Sequence, residues 1–93
     1  MNERRYDLIV ARPAQRAISD RLPRAVAEAG VEFITGPLLE NPRRIGKPLR
    51  AELTGMFSAR LEQQWRMVYE TDAEQRTVIV LDIQHRSTVY RPR

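Results

Sequence analysis

From residue 55 to residue 84 the hydrophobic period is two, through three successive runs: "GMFSARL" (55–61), "QWRMVYE" (64–70) and "RTVIVLDIQ" (76–84). Alternate side chains of an extended chain face opposite sides of a sheet, and the "EQ" and "TDAE" joints are short enough to close only antiparallel hairpins. About a third of the chain is thus committed to a consecutive antiparallel meander. The third run is apolar on both parities, with Val78 and Val80 on one side and Ile79, Leu81 and Ile83 on the other. That is the pattern of a strand covered on both faces, and it places this strand at the centre of the sheet.

The first half obeys a different period. "RYDLIVA" (5–11) is a β-rich run stopped by Pro13. Pro13 and Pro23 each suit the first turn of a helix, where a missing N–H costs nothing. They open a short helix over about 13–21 and a second from about 23, in which Leu22, Val26, Ala29 and Phe33 form one apolar stripe. Gly36 and Pro37 end or kink it. "GPLLENPRRIGKPL" holds two glycines and three prolines and reads as loop, with "PLLE" able to add a helical turn. The order β-α-α-β-β-β defines an α+β domain with a mainly antiparallel sheet and a helix pair packed on one face. Ninety-three residues support one such domain, spanning 1–93.

Composition removes several classes of function. The chain has no cysteine and one histidine, so disulfides, thiolate nucleophiles and a zinc or copper centre are not expected, and a reducing cytoplasm fits. No apolar run approaches the roughly 20 residues of a spanning helix, and the N-terminal "LIVA" is far below a signal-peptide core. Neither membrane attachment nor export is expected. The net charge of +4 is unevenly placed: residues 1–42 hold six basic and six acidic side chains, residues 43–93 ten and six. Fifteen of the sixteen cations are arginine, whose planar fork matches phosphate and can stack on bases. "RRIGKPLR" (43–50) gathers four cations and no acid, which marks either a solvated loop or a nucleic-acid contact.

Alternation also decides which side chains converge. Trp65, Met67 and Tyr69 share one side of the second meander strand; Arg66, Val68 and Glu70 share the other, and Asp82 and Gln84 share a face of the third. With the helices on the aromatic side, Arg66 lies on the open face. The hairpin brings Arg60 beside it, an arrangement that calls for an anion between the two cations. The plainer alternative is a surface ion pair of Arg66 with Glu70 or Asp82. The tail "HRSTVYRPR" (85–93) adds His85, Arg86 and Tyr90: a proton donor or acceptor near neutral pH, a phosphate holder and a stacking phenol. A tyrosine sealing a core edge and a structural histidine are the alternatives.

Taken together, "IGKPL", the Leu-x-Gly of residues 53–55, the arginine-bearing strand pair with "WRMVYE", and the terminal "HRSTVYR" resemble the RelE/ParE superfamily of bacterial toxins from toxin–antitoxin pairs, in particular its RelE and YoeB ribonuclease branches. The likeness spans nearly the whole chain. It implies an endoribonuclease without metal or cofactor that cuts messenger RNA, typically on the ribosome, through attack of the 2′-hydroxyl on the adjacent phosphate. By motif position it implies Arg60, Arg66, His85, Arg86 and Tyr90 as catalytic residues, Lys47 as the lysine of the basic loop, and Arg43, Arg44 and Arg50 as further RNA contacts. No residue here aligns with the glutamate that follows "GKP" in the YoeB branch, so the base is unassigned. The implied partners are a cognate antitoxin with an acidic, partly disordered segment, messenger RNA with the ribosome, and operator DNA only through the antitoxin. Two other members of the same fold stay open at this point: a ParE-like inhibitor of DNA gyrase, and an inactive corepressor bound to its antitoxin.

Overall fold

The first strand, β1 (Asp7–Val10), pairs with none of its neighbours in sequence. It lies parallel to β5 (Thr77–His85), with Leu8 opposite Val78 and Val10 opposite Val80. Everything between these two strands is the crossover connection, as parallel pairing requires. The computed structural model describes residues 5–49 and 55–89. Within them the sheet has five strands in the order β1-β5-β4-β3-β2, where β2 is Lys47–Pro48, β3 is Met56–Leu61 and β4 is Trp65–Asp72. The expected meander is present: β3 to β4 and β4 to β5 are antiparallel. Its last strand is interior, flanked by β1 and β4, while β4 occupies the middle. The strand after the first hairpin runs two residues further than its sequence suggests, because Asp72 closes the second turn by accepting the Gln75 N–H at 3.1 Å.

Helix α1 (Arg12–Arg16) carries Pro13 in its first turn and continues into a single π-helical turn over Ala17–Arg21. Helix α2 (Arg24–Ile34) follows Pro23. Its buried stripe is Val26, Gly30 and Ile34, flanked by the partly buried Leu22, Ala29 and Phe33. A Cβ at Gly30 would sit 3.4 Å from Leu61 and 3.7 Å from Ile83, so α2 crosses close over β3 and β5. Below it Met67, Tyr69, Val78, Val80 and Ile83 are wholly buried. The helices therefore cover the aromatic side of β4, which leaves Arg66 and Val68 on the open side.

Two expectations change. The stretch 36–49 is not a plain loop: each of two prolines opens a single helical turn, α3 (Pro37–Glu40) and α4 (Pro42–Ile45), and β2 then pairs with β3. The second apolar parity of β5 is not covered. Met67 faces Ile83 and Val68 faces Asp82, but Tyr69 faces Val80, so Leu81 is an extra, unpaired residue. This bulge shifts the phase by one. Ile83 thereby joins Val78 and Val80 in the core, while Ile79 and Leu81 stay half-buried beside an Ile9 that is 53% exposed. After His85 the strand does not continue; the chain turns into the helical turn α5 (Arg86–Val89), whose first N–H bonds the Gln64 carbonyl at 2.7 Å.

Adjacent residues of β4 provide a test of this division. Met67→Ala should lower unfolding stability by about 2–5 kcal/mol through cavity formation, whereas Val68→Ala on the open side should cost less than about 1 kcal/mol. Urea midpoints of the two variants check it.

Candidate nucleic-acid interface

Three strands and one edge strand bring the cations together. In β3 and β4 Arg60 lies directly opposite Arg66, and across the next strand Arg66 lies opposite Gln84. The adjoining row runs Lys47, Ser58, Val68, Asp82. Facing residues on neighbouring strands share one side of the sheet, so Lys47, Arg60, Arg66, Asp82 and Gln84 all stand on the side away from α2. Arg60 and Lys47 are exposed and make no hydrogen bond or ion pair among the described residues. Arg66 is half-buried, with Nη1 donating to its neighbour's Trp65 carbonyl at 3.0 Å. Like charges directly opposite each other are unfavourable until an anion lies between them.

The acid best placed to neutralise this row is already engaged. Asp82 Oδ1 accepts from Arg21 Nη2 at 3.0 Å and from the Ile83 N–H at 2.8 Å; Oδ2 accepts from Gln84 Nε2 at 2.9 Å. The π-helical turn thus delivers its own arginine to Asp82. Of the two ion pairs foreseen for Arg66, the one with Asp82 meets a carboxylate already bonded on both oxygens.

The basic segment is held by a phenol. Tyr69 is fully buried, stacks on Phe57 with ring centroids 5.7 Å apart, and donates its hydroxyl to the Pro42 carbonyl at 2.6 Å. The Gly46 N–H donates back to the same oxygen. Gly46 has no alternative here: a Cβ would collide with the Tyr69 hydroxyl and stand 2.9 Å from the Ser58 carbonyl oxygen. This clamp fixes α4 and presents Lys47 as the edge of the cation face. Arg43 goes elsewhere, its guanidinium 5.8 Å from the Phe57 ring centre on the opposite parity, and Arg44 is exposed on α4.

The tail is divided as well. His85 faces Trp65, the two rings meeting edge to face with centroids 5.4 Å apart, on the parity of Met67 and Ile83 rather than that of Arg66. Its Nδ1 lies 3.0 Å from Ser87 Oγ, and Nε2 has no hydrogen-bond partner among the described residues. Arg86 is exposed at the start of α5. Tyr90 and Arg50 fall outside the described residues. Sequence reading passed over Gln84 and Arg21; the shared parity of Asp82, Gln84 and Arg66 was the available signal for Gln84, and none existed for Arg21.

A small α+β domain with a five-stranded sheet and helices packed on one face matches the fold of the RelE toxins. The chain belongs to the ParE toxin family of type II toxin–antitoxin systems, whose model it matches over residues 8–90. It is 44% identical over 86 residues to Toxin RelE of Mycobacterium tuberculosis, covering 92% of this chain and 87% of that protein. Its fold superposes with a TM-score of 0.77 and 41% identity on the M. tuberculosis RelBE2 toxin–antitoxin complex, covering 87% of this chain and 98% of the other. A variant of Escherichia coli toxin RelE in the free state gives a TM-score of 0.73 at 26% identity, with 92% and 90% covered. The chain is a toxin of a toxin–antitoxin pair, as its sequence motifs implied.

Burial raises the Tyr69 pKa from its ordinary 10.0 to about 12, against a smaller lowering by the Gly46 N–H. The unfolded phenol ionises above pH 10 while the folded one does not, so its contribution is complete below pH 10 and is lost progressively as pH rises to about 12. Tyr69→Phe should abolish this part of the alkaline decline. It should also cost about 1–3 kcal/mol at neutral pH, since Pro42 and Gly46 lose their partner. Chemical denaturation at pH 7 and across the alkaline window measures both effects.

Proposed function

We propose that this toxin is an endoribonuclease that cuts messenger RNA, positioned on the ribosome, by intramolecular attack of the 2′-hydroxyl. The carrying observation is the Arg60–Arg66 pair, held in register on an open face with Lys47 at its edge. Two guanidinium groups directly opposite each other concentrate positive charge on this face, and a phosphodiester laid against them meets that charge. As the 2′-oxygen bonds to phosphorus, its proton leaves to a base and negative charge accumulates on the non-bridging oxygens. The bond from phosphorus to the 5′-oxygen then breaks, that oxygen takes up a proton, and a 2′,3′-cyclic phosphate and a 5′-hydroxyl remain. Arg60 and Arg66 stabilise the charge that grows on phosphorus. Lys47, with Arg44 and Arg50, binds the flanking backbone, which makes affinity fall with salt. Arg86 and Tyr90 serve as tail contacts to the same phosphate and its nucleotide, and His85 exchanges a proton through Nε2 across the end of β4 and β5. One histidine and no cysteine make this charge-based route the chemistry the residues favour.

Relatives of the chain have been crystallised as toxin–antitoxin complexes, among them RelBE2 of M. tuberculosis. We extend that partnership to this chain: an acidic antitoxin segment that folds against the cation face neutralises it and excludes RNA. The setting is the cytoplasm. A gyrase-inhibiting role, which the ParE family name keeps in view, needs no such cation row.

Inducible expression separates these readings. Wild type should arrest growth with new 5′ ends inside messages, and Arg60→Ala and Arg66→Ala should each lower cleavage by roughly a hundredfold, the loss typical for one donor to a developing oxyanion. Arrest with intact messages and altered DNA supercoiling would instead assign the toxin to gyrase. For His85→Gln the expected result is slower cleavage with RNA binding unchanged; parallel losses of stability and rate would mark His85 as only the packing partner of Trp65.

A further inference from the structure

Gln84 is the one neutral polar side chain in the row Arg60–Arg66–Gln84, and its amide is not free to choose an orientation. A carboxylate only accepts hydrogen bonds, so the group within 2.9 Å of Asp82 Oδ2 must be the Gln84 NH2. Asp82 is itself pinned by Arg21 at 3.0 Å and by the Ile83 N–H at 2.8 Å. The Leu81 bulge allows this, because it turns Asp82 and Gln84 to the open side and Ile83 into the core. With its amide nitrogen committed, Gln84 shows the site a fixed acceptor, Oε1, which has no hydrogen-bond partner among the described residues.

Adjacent strands lie roughly 4.8 Å apart, so a phosphate between Arg60 and Arg66 brings the neighbouring nucleotide over Gln84. We propose that Gln84 is a specificity-determining residue: its Oε1 accepts a hydrogen bond from the exocyclic amino group of the base beside the scissile phosphate, and Asp82, held by Arg21, is the positioning residue that keeps the acceptor outward. The assignment rests on the ribonuclease reading. It selects adenine, cytosine or guanine over uracil at that position, since uracil carries no amino group. A site shaped around an exocyclic amino donor disfavours a base that has none, because the half-buried acceptor would be left unpaired.

The test uses the purified full-length toxin and RNA oligonucleotides of defined sequence, free and placed in the ribosomal decoding site, with each of the four bases on either side of the cut. Wild type should favour amino-bearing bases over uracil roughly tenfold or more at one of the two positions, the discrimination one good contact to a base edge supplies. Gln84→Met, which keeps length and removes the acceptor, should erase that preference while cleavage of uracil-containing RNA stays within about threefold of wild type, the spread of a surface change. Asp82→Asn should shift the preference toward uracil, because an Asn carbonyl and amide allow the Gln84 amide to turn and present its NH2 instead. A 2′-deoxy substitution one nucleotide away from the cut distinguishes a ribose hydroxyl as the bonded donor: if it abolishes the preference, the assignment to the base is overturned. Base preferences unchanged in both variants, or a uniform loss of rate on all sequences, would also overturn it while leaving the ribonuclease reading intact. No cleavage by wild type on any substrate would overturn the ribonuclease reading and this inference with it.

Discussion

One unpaired residue sets the sidedness of the whole sheet. Without Leu81 as an extra member of β5, strict alternation would put Ile83 on the face of Ile79 and would send Asp82 and Gln84 beneath α2. Burying a carboxylate and an amide against Gly30 and Met67 would leave them without water or partners, a cost of several kcal/mol or more. With the bulge in place, the second half of β5 offers the core one more isoleucine and offers the open face two polar groups. The helices, the ion pair from Arg21 and the row beside Arg66 all depend on that single phase shift.

The opposite edge of the sheet is organised by a different device. β2 is only two residues long and could not hold itself on β3 by ladder bonds alone. The Tyr69 hydroxyl supplies what the strand lacks, by joining the Pro42 carbonyl and the Gly46 N–H at one buried point. A residue whose ring packs in the core and whose polar tip fixes a surface segment links stability directly to the placement of Lys47.

The strands, the helix pair and the neighbourhood of Arg60 and Arg66 were legible because each follows from a local period or a short turn. The family motifs carried the toxin assignment. What stayed hidden depends on contacts remote in sequence or on a change of phase. "VIVLDI" is apolar on both parities, so nothing in it says where alternation slips. The partner of "DLIV" is far down the chain. The prolines of residues 36–49 read as loop, since the force that orders them is Tyr69, 27 residues after Pro42. His85 sat in a promising motif, but its parity follows the bulge and groups it with Trp65.

The parallel ladder between the first and last strands has a temporal meaning. Asp7 and its partner Thr77 are 70 residues apart, so β1 has no edge to join until β5 exists. Ribosomes add about 5–20 residues each second, and throughout the preceding seconds the nascent chain carries β1 without the strand it pairs with. The cation row itself awaits the second meander strand, and its Gln84 neighbour comes later still. The sheet that presents the cation row is thus closed by two strands made at widely separated times, and the row takes its final setting only when the later of them has been added.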